Sequence, residues 1–150
     1  TYKPISEIKK YDNAEQKLKT IYYNYASNEW STTIDFDKLA ALEGYFFKSN
    51  QKTNFTIVGY VPSEIPVNIL NGMNLIGLTL FENKKISGII TQSPSNYNIT
   101  EIAFRNSNGS YETATYYPTS DNWFMKNEFM ILEGSAYWLK ANKNFVLKVT

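Results

Sequence analysis

The chain has 150 residues, with 15 basic and 14 acidic side chains and a net charge of +1. That balance leaves no bulk field for nucleic acid or anionic lipid, and Arg105, the one arginine, offers little for bidentate phosphate or base-edge recognition. No Cys or His occurs, which excludes thiol nucleophiles, zinc sites built on those ligands, the Ser-His-Asp triad and imidazole acid–base chemistry.

Aromatic residues make up 16% of the chain, chiefly Tyr, and Asn is abundant. Such a mix suits strands joined by polar turns in an exposed, often extracellular, protein. There is no signal peptide and no apolar run long enough to span a bilayer, so membrane insertion of this segment is not expected. A start at Thr1 suggests a processed or excised piece.

From the N-terminus, the isoleucine spacing of Pro4-Ile5-Ser6-Glu7-Ile8 predicts one or two helical turns. A longer helix over Ser6–Thr20, carrying Ile8, Tyr11 and Leu18 on one side, is the alternative. Ile21, Tyr23 and Tyr25 alternate as a half-buried strand does. Asp35-Phe36-Asp37 reads as a solvated turn in preference to a calcium site, because no further oxygen ligands follow. Two prolines in Val61-Pro62-Ser63-Glu64-Ile65-Pro66 make residues 61–66 a linker between a first unit, 1–60, and a second, 67–150.

In the second unit Ile76, Leu78 and Leu80 alternate along a strand. Lys85-Ile86-Ser87-Gly88-Ile89-Ile90 repeats the short-helix signal. Ile102 and Phe104 mark another strand, and Asn108-Gly109 predicts a two-residue hairpin turn that uses positive φ. Tyr116 to Trp123 reads as an extended loop, and Phe145, Leu147 and Val149 share one face of a final strand.

Two blocks recur in one order. Ile5-Ser6-Glu7-Ile8 aligns with Ile86-Ser87-Gly88-Ile89 at an offset of 81 (86 − 5), which sets Leu18 on Ile99, Ile21 on Ile102, Tyr23 on Phe104, Trp30 on Tyr111 and Ser27-Asn28 on Asn108-Gly109. Gly44 to Asn50 then aligns with Ala136 to Asn142, and Asn54 to Ile57 with Asn144 to Leu147. Matching apolar positions with drifted surfaces indicate a duplicated module. Each copy alone is near the size at which a lone core is marginal, so the copies should pack together. The expected fold is mainly β with short helices, as two tandem related β units, with an α+β arrangement as the alternative. Ile21, Tyr23, Phe55, Ile57, Ile76, Leu78, Ile102, Phe104, Tyr137, Phe145 and Leu147 are its expected core.

The run Asn71-Gly72-Met73-Asn74-Leu75-Ile76-Gly77-Leu78, then Ile86-Ser87-Gly88-Ile89, Ile102-Ala103-Phe104 and Leu132-Glu133-Gly134-Ser135-Ala136-Tyr137-Trp138-Leu139, resembles a widespread extracellular module. In bacterial and archaeal surface proteins its copies open with Gly-Trp-Asn-Leu-Ile-Gly, close with Gly-Lys-Gly-Tyr-Trp and often occur in tandem. The resemblance covers about 67–150 well and 5–60 loosely. Met73 stands where that family usually has Trp, and Ser135-Ala136 where it has a residue followed by Gly. The resemblance implies a cell-surface, S-layer-like or adhesive setting without enzymatic activity.

The expected function is therefore a non-catalytic structural or adhesive module, with other copies or domains of the same surface protein as partners. Carbohydrate binding through exposed aromatics is the alternative, and a virion surface protein a further one. Trp123, Tyr116, Tyr117 and Trp138 are the candidate ligand contacts, with Trp123 preferred because it lies in a segment longer in the second copy. No catalytic residue, cofactor or metal ligand is expected. Glu101, Glu112, Asp121, Glu128 and Glu133 are the acids from which a glycosidase pair would be drawn, and they form no motif. Asn54-Phe55-Thr56, Asn98-Ile99-Thr100 and Asn108-Gly109-Ser110 match the N-glycosylation acceptor pattern at about its chance frequency.

Overall fold

The structure, a computed structural model, describes residues 4–31, 38–54, 56, 65–78, 84–85, 98–117, 119–125, 129–132 and 134–149. Thirteen strands run through them: β1 (Ile5–Asp12), β2 (Lys17–Asn24), β3 (Glu29–Trp30), β4 (Tyr45–Ser49), β5 (Ile65–Ile69), β6 (Gly72–Leu78), β7 (Lys84–Lys85), β8 (Ile99–Arg105), β9 (Tyr111–Tyr117), β10 (Asn122–Met125), β11 (Met130–Ile131), β12 (Ser135–Ala141) and β13 (Phe145–Val149). The mainly-β class expected from the alternation is what the chain adopts.

The short helices are not. The segment expected to coil at Pro4–Ile8 enters β1, and the alternative Ser6–Thr20 helix is the β1–β2 hairpin, so neither the helical turns nor the α+β arrangement forms. Two physical reasons stand out. β1 is paired along both edges, with Ile8 opposite Ile21 on one side and Phe47 on the other, and this tertiary pairing outweighs a weak local helix preference. The Asp12 carboxylate then accepts from the N–H groups of Ala14 at 3.0 Å and Glu15 at 2.9 Å, an Asx-type turn that reverses the chain. Of the second expected helix, Lys85 ends the strand β7 and residues 86–90 lie outside the described residues. The linker's residues 61–64 lie outside them too, and β5 begins at Ile65.

The N-terminal strands form a sheet in the order β3-β2-β1-β4, and the later ones a five-stranded sheet in the order β10-β9-β8-β12-β6. Two-stranded pairs β5–β13 and β7–β11 accompany them. The core lies on one face of the five-stranded sheet. Tyr137 and Leu139 of β12 point there, flanked by Ile102 on β8 and Ile76 on β6, and Ile69 and Leu147 of the β5–β13 pair belong to the same buried cluster. This sandwich-like packing turns the alternation read in β13 into one side of a buried interior.

Of the expected core residues, Tyr23, Ile76, Ile102, Tyr137 and Leu147 are buried, and Phe104 and Phe145 pack against the cluster part-buried. Ile21 is half-buried, while Phe55, Ile57 and the Leu78 side chain lie outside what is described.

Among the described residues, the Asn74 side chain is polar and fully buried. Asn74 accepts from the Leu70 N–H at 2.9 Å and donates to the carbonyls of Leu70 at 2.8 Å and Gly72 at 3.2 Å, clamping the β5–β6 turn. Asn144 reinforces it by accepting from the Asn71 N–H at 2.7 Å. The Asn-Gly-Met-Asn run is thus a tight turn at Gly72, whose φ is +104°, followed by a buried amide with its bonds satisfied.

The aligned copies share a hairpin but differ in strand order. Asn28, between β2 and β3, and its aligned Gly109, between β8 and β9, both take positive φ, at 60° and 87°. The second turn is longer than the two residues expected: Gly109 donates to Asn106 and Asn106 to Ser110, the three-residue loop in which a left-handed glycine forms a bulge. β1 stands between β2 and β4, whereas β8 and β12, the strands aligned with β2 and β4, are direct neighbours. Residues 86–93, aligned with β1, lie outside the described residues.

Candidate functional site

The opposite face of the five-stranded sheet carries the site. Along β9, Ala114 and Tyr116 turn inward, while Tyr111, Thr113, Thr115 and Tyr117 alternate outward. Phe124 lies opposite Thr115 on β10, so it joins them. Tyr111 and Tyr117, at the two ends of β9, and Phe124, on the edge strand β10, are 52%, 49% and 65% exposed, which is high for large aromatic side chains. Tyr117 and Phe124 meet edge to face at 6.3 Å.

At the other end of this face the N-terminal sheet arrives. Tyr11 of β1 stands edge-on to Trp138 of β12 at 4.7 Å, and Phe46 of β4 lies 6.2 Å from the same indole. The two sheets therefore share Trp138. Together they shape a groove of about 430 Å³ lined by Tyr11, Met73, Glu101, Ala103, Tyr111, Thr113 and Trp138. Burial raises the Tyr11 hydroxyl above the usual phenol value. Glu101 has no ion-pair partner among the described residues. A smaller recess of about 230 Å³ lies beside Tyr117, Asn122 and Phe124.

The four candidates from sequence divide between the two faces. Trp138 lines the groove, and Tyr117 stands on the same face of the sheet. Tyr116 is buried, donates its hydroxyl to Asp121 at 2.6 Å and packs 5.7 Å from Trp123. Trp123 packs against the core and also lines the smaller recess. The segment expected to be an extended loop is instead largely the β9–β10 hairpin.

Tyr111, Phe124, Tyr11 and Thr113 were not among the candidates, and Glu101 was named only among the acids for a glycosidase pair. The signal for Tyr111 and Thr113 was present in Tyr-Glu-Thr-Ala-Thr-Tyr-Tyr, which alternates strictly once β9 is recognised. A register difference hid it further. Trp30 lies opposite Tyr23, but its aligned Tyr111 lies opposite Arg105 and not opposite Phe104, a one-residue slip that turns Tyr111 to the outer face.

The acids do not assemble among the described residues. Glu101 faces the groove, Glu112 lies on the other face of the sheet opposite Phe104, and Asp121 holds Tyr116. Glu128, Glu133 and Asp35-Phe36-Asp37 lie outside the described residues. Among the described residues no three Asp or Glu converge as metal ligands. No described helix is long and apolar enough to cross a membrane. Of the glycan-acceptor patterns, Asn54 and Asn108 are exposed while Asn98 is buried.

Compared with known proteins, the chain matches no family model, no curated protein and no solved structure.

Proposed function

We propose that the chain is a non-catalytic contact module of a cell-surface protein, structural or adhesive in role, which engages its partner through the outward face of the five-stranded sheet. The observation that supports this reading is the row of exposed aromatics, Tyr111, Tyr117 and Phe124, on a rigid antiparallel sheet. Exposed apolar side chains gathered on one face mark an interaction surface, because leaving them in water has a free-energy cost that a partner removes. The resemblance to tandem surface modules agrees with that role, as does the separation of the described carboxylates onto different faces of the sheet.

Beads coated with the chain test it. Wild-type beads should adhere to one another or to surfaces coated with envelope polymers, and Tyr111→Ser/Tyr117→Ser/Phe124→Ser beads should not, while the melting temperature stays within a few degrees. Equal adhesion by both, or none by the wild type, refutes the reading.

Carbohydrate binding is the second reading. It is favoured by one specific observation: hydroxyl and carboxylate groups, Thr113 and Glu101, interleave with the aromatics of the groove.

A further inference from the structure

We infer that the groove between Tyr11, Trp138 and Tyr111 binds a neutral, linear oligosaccharide that continues along β9 toward Tyr117 and Phe124. The inference rests on the contact-face reading and adds the class of ligand. Its volume of about 430 Å³ lies within the roughly 300–1,000 Å³ usual for small-molecule sites. Its lining is mostly apolar and aromatic with a few polar groups, the composition that takes a pyranose ring: aromatic faces against C–H groups, polar atoms against hydroxyls.

Three features choose the ligand. The Glu101 carboxylate of the lining accepts hydrogen bonds from adjacent sugar hydroxyls, and Lys140, directly opposite it on β12 and on the same face, offsets its charge, so the groove offers no net cationic field for a uronic or sialic acid. The aromatics lie at both ends of the outward row of β9, with Thr113 and Thr115 between them. Tyr117 lies six residue steps along the strand from Tyr111 (117 − 111), roughly 20 Å at the usual rise. That spacing suits a polymer of several rings and exceeds one monosaccharide. Finally, Trp138 packs against Tyr11 and Phe46, so its position in the groove wall is set before the ligand arrives and little ordering entropy opposes binding.

Calorimetric titration of the intact chain with cellohexaose, N-acetylchitohexaose, mannohexaose and the galacturonic acid hexamer tests the assignment. At least one neutral hexamer should bind saturably and about tenfold or more tighter than the galacturonate. Tyr111→Ala and Tyr117→Ala should each weaken it about tenfold. Both side chains are half exposed, so the fold should survive, as unchanged melting temperatures would verify. Glu101→Gln should narrow the gap between the neutral and acidic hexamers. Failure of all three neutral hexamers at millimolar concentration overturns the assignment, as does binding indifferent to Tyr111→Ala and Glu101→Gln. If bead adhesion still depends on the aromatic face when no sugar binds, the contact face stands and the ligand is a protein.

Discussion

Gln16 meets Met73 as one strand meets another: its side-chain amide donates to the Met73 carbonyl at 2.7 Å and accepts from the Met73 N–H at 2.8 Å. Asn13, in the same β1–β2 turn, accepts from the Leu75 N–H at 3.0 Å. Beyond them the Leu42–Gly44 backbone takes over, with Gly44 donating to Leu75 and Gly77 donating to Leu42 at 2.9 Å. Two amide side chains and a short strip of backbone thus close the outer edge of β6, which would otherwise be the open margin of the five-stranded sheet.

Gln16→Ala should therefore lower stability by about 1 kcal/mol, the net worth of hydrogen bonds that water can partly replace. Because Gln16 already has φ of 53°, alanine inherits the same backbone strain and the loss reports the amide alone. Combined with Asn13→Ala, the freed edge should pair between molecules. Urea midpoints and sedimentation velocity check both effects, and an unchanged midpoint with a monomer at all concentrations would count against the edge-closure argument.

Gly77→Ala should be worse than Gly134→Ala. A Cβ at Gly77 would stand 2.7 Å from the Glu43 carbonyl oxygen, so the Leu42–Gly44 strip must withdraw and lose the bond to Leu42. We expect about 2–3 kcal/mol. Gly134 has open space around it but φ of +74°, so alanine there costs about 1–2 kcal/mol of backbone strain. Thermal denaturation of both variants gives the order, and equal losses would show that the strip yields easily.

Asn74→Leu keeps the branched shape and removes the clamp. The Leu70 N–H and the Leu70 and Gly72 carbonyls lose their partner in a site without exposure, which should cost about 3 kcal/mol or more. A change within half a kcal/mol of wild type in denaturant unfolding would mean that the turn is held by other contacts.

The pH dependence has two limbs. The Lys19 ammonium, assisted by the Glu15 and Ala14 N–H groups, holds the Asp12 carboxyl down at about 2. An unfolded Asp titrates near 4, so this contribution is complete above about pH 4 and is lost as pH falls toward 2. Lys19 is raised by the same pair and by Glu15. Tyr45 and Tyr137 are raised chiefly by burial. For these three groups the stabilisation is full below the unfolded value, near 10, and fades as pH rises past it. Urea midpoints from pH 2 to 11 should fall at both ends, and Asp12→Asn should flatten the acid limb between pH 4 and 2. An acid limb unchanged by that substitution would assign it to other carboxylates.

What the amino-acid order determined alone is the strand character of the chain and much of its interior. Period-2 alternation is local, so Phe145 with Leu147 and Ile102 with Phe104 were legible as core faces. The left-handed positions Asn28 and Gly109 were legible through turn chemistry. Tertiary structure decided the rest. β1 became a strand because β2 and β4 flank it, which no spacing of isoleucines within it reveals. Tyr111 faces outward because a hairpin register slipped by one residue, and every side chain changes face with such a slip. The groove needs Tyr11 against Trp138, side chains brought together only when two sheets pack, and distant packing leaves no periodic mark on either segment.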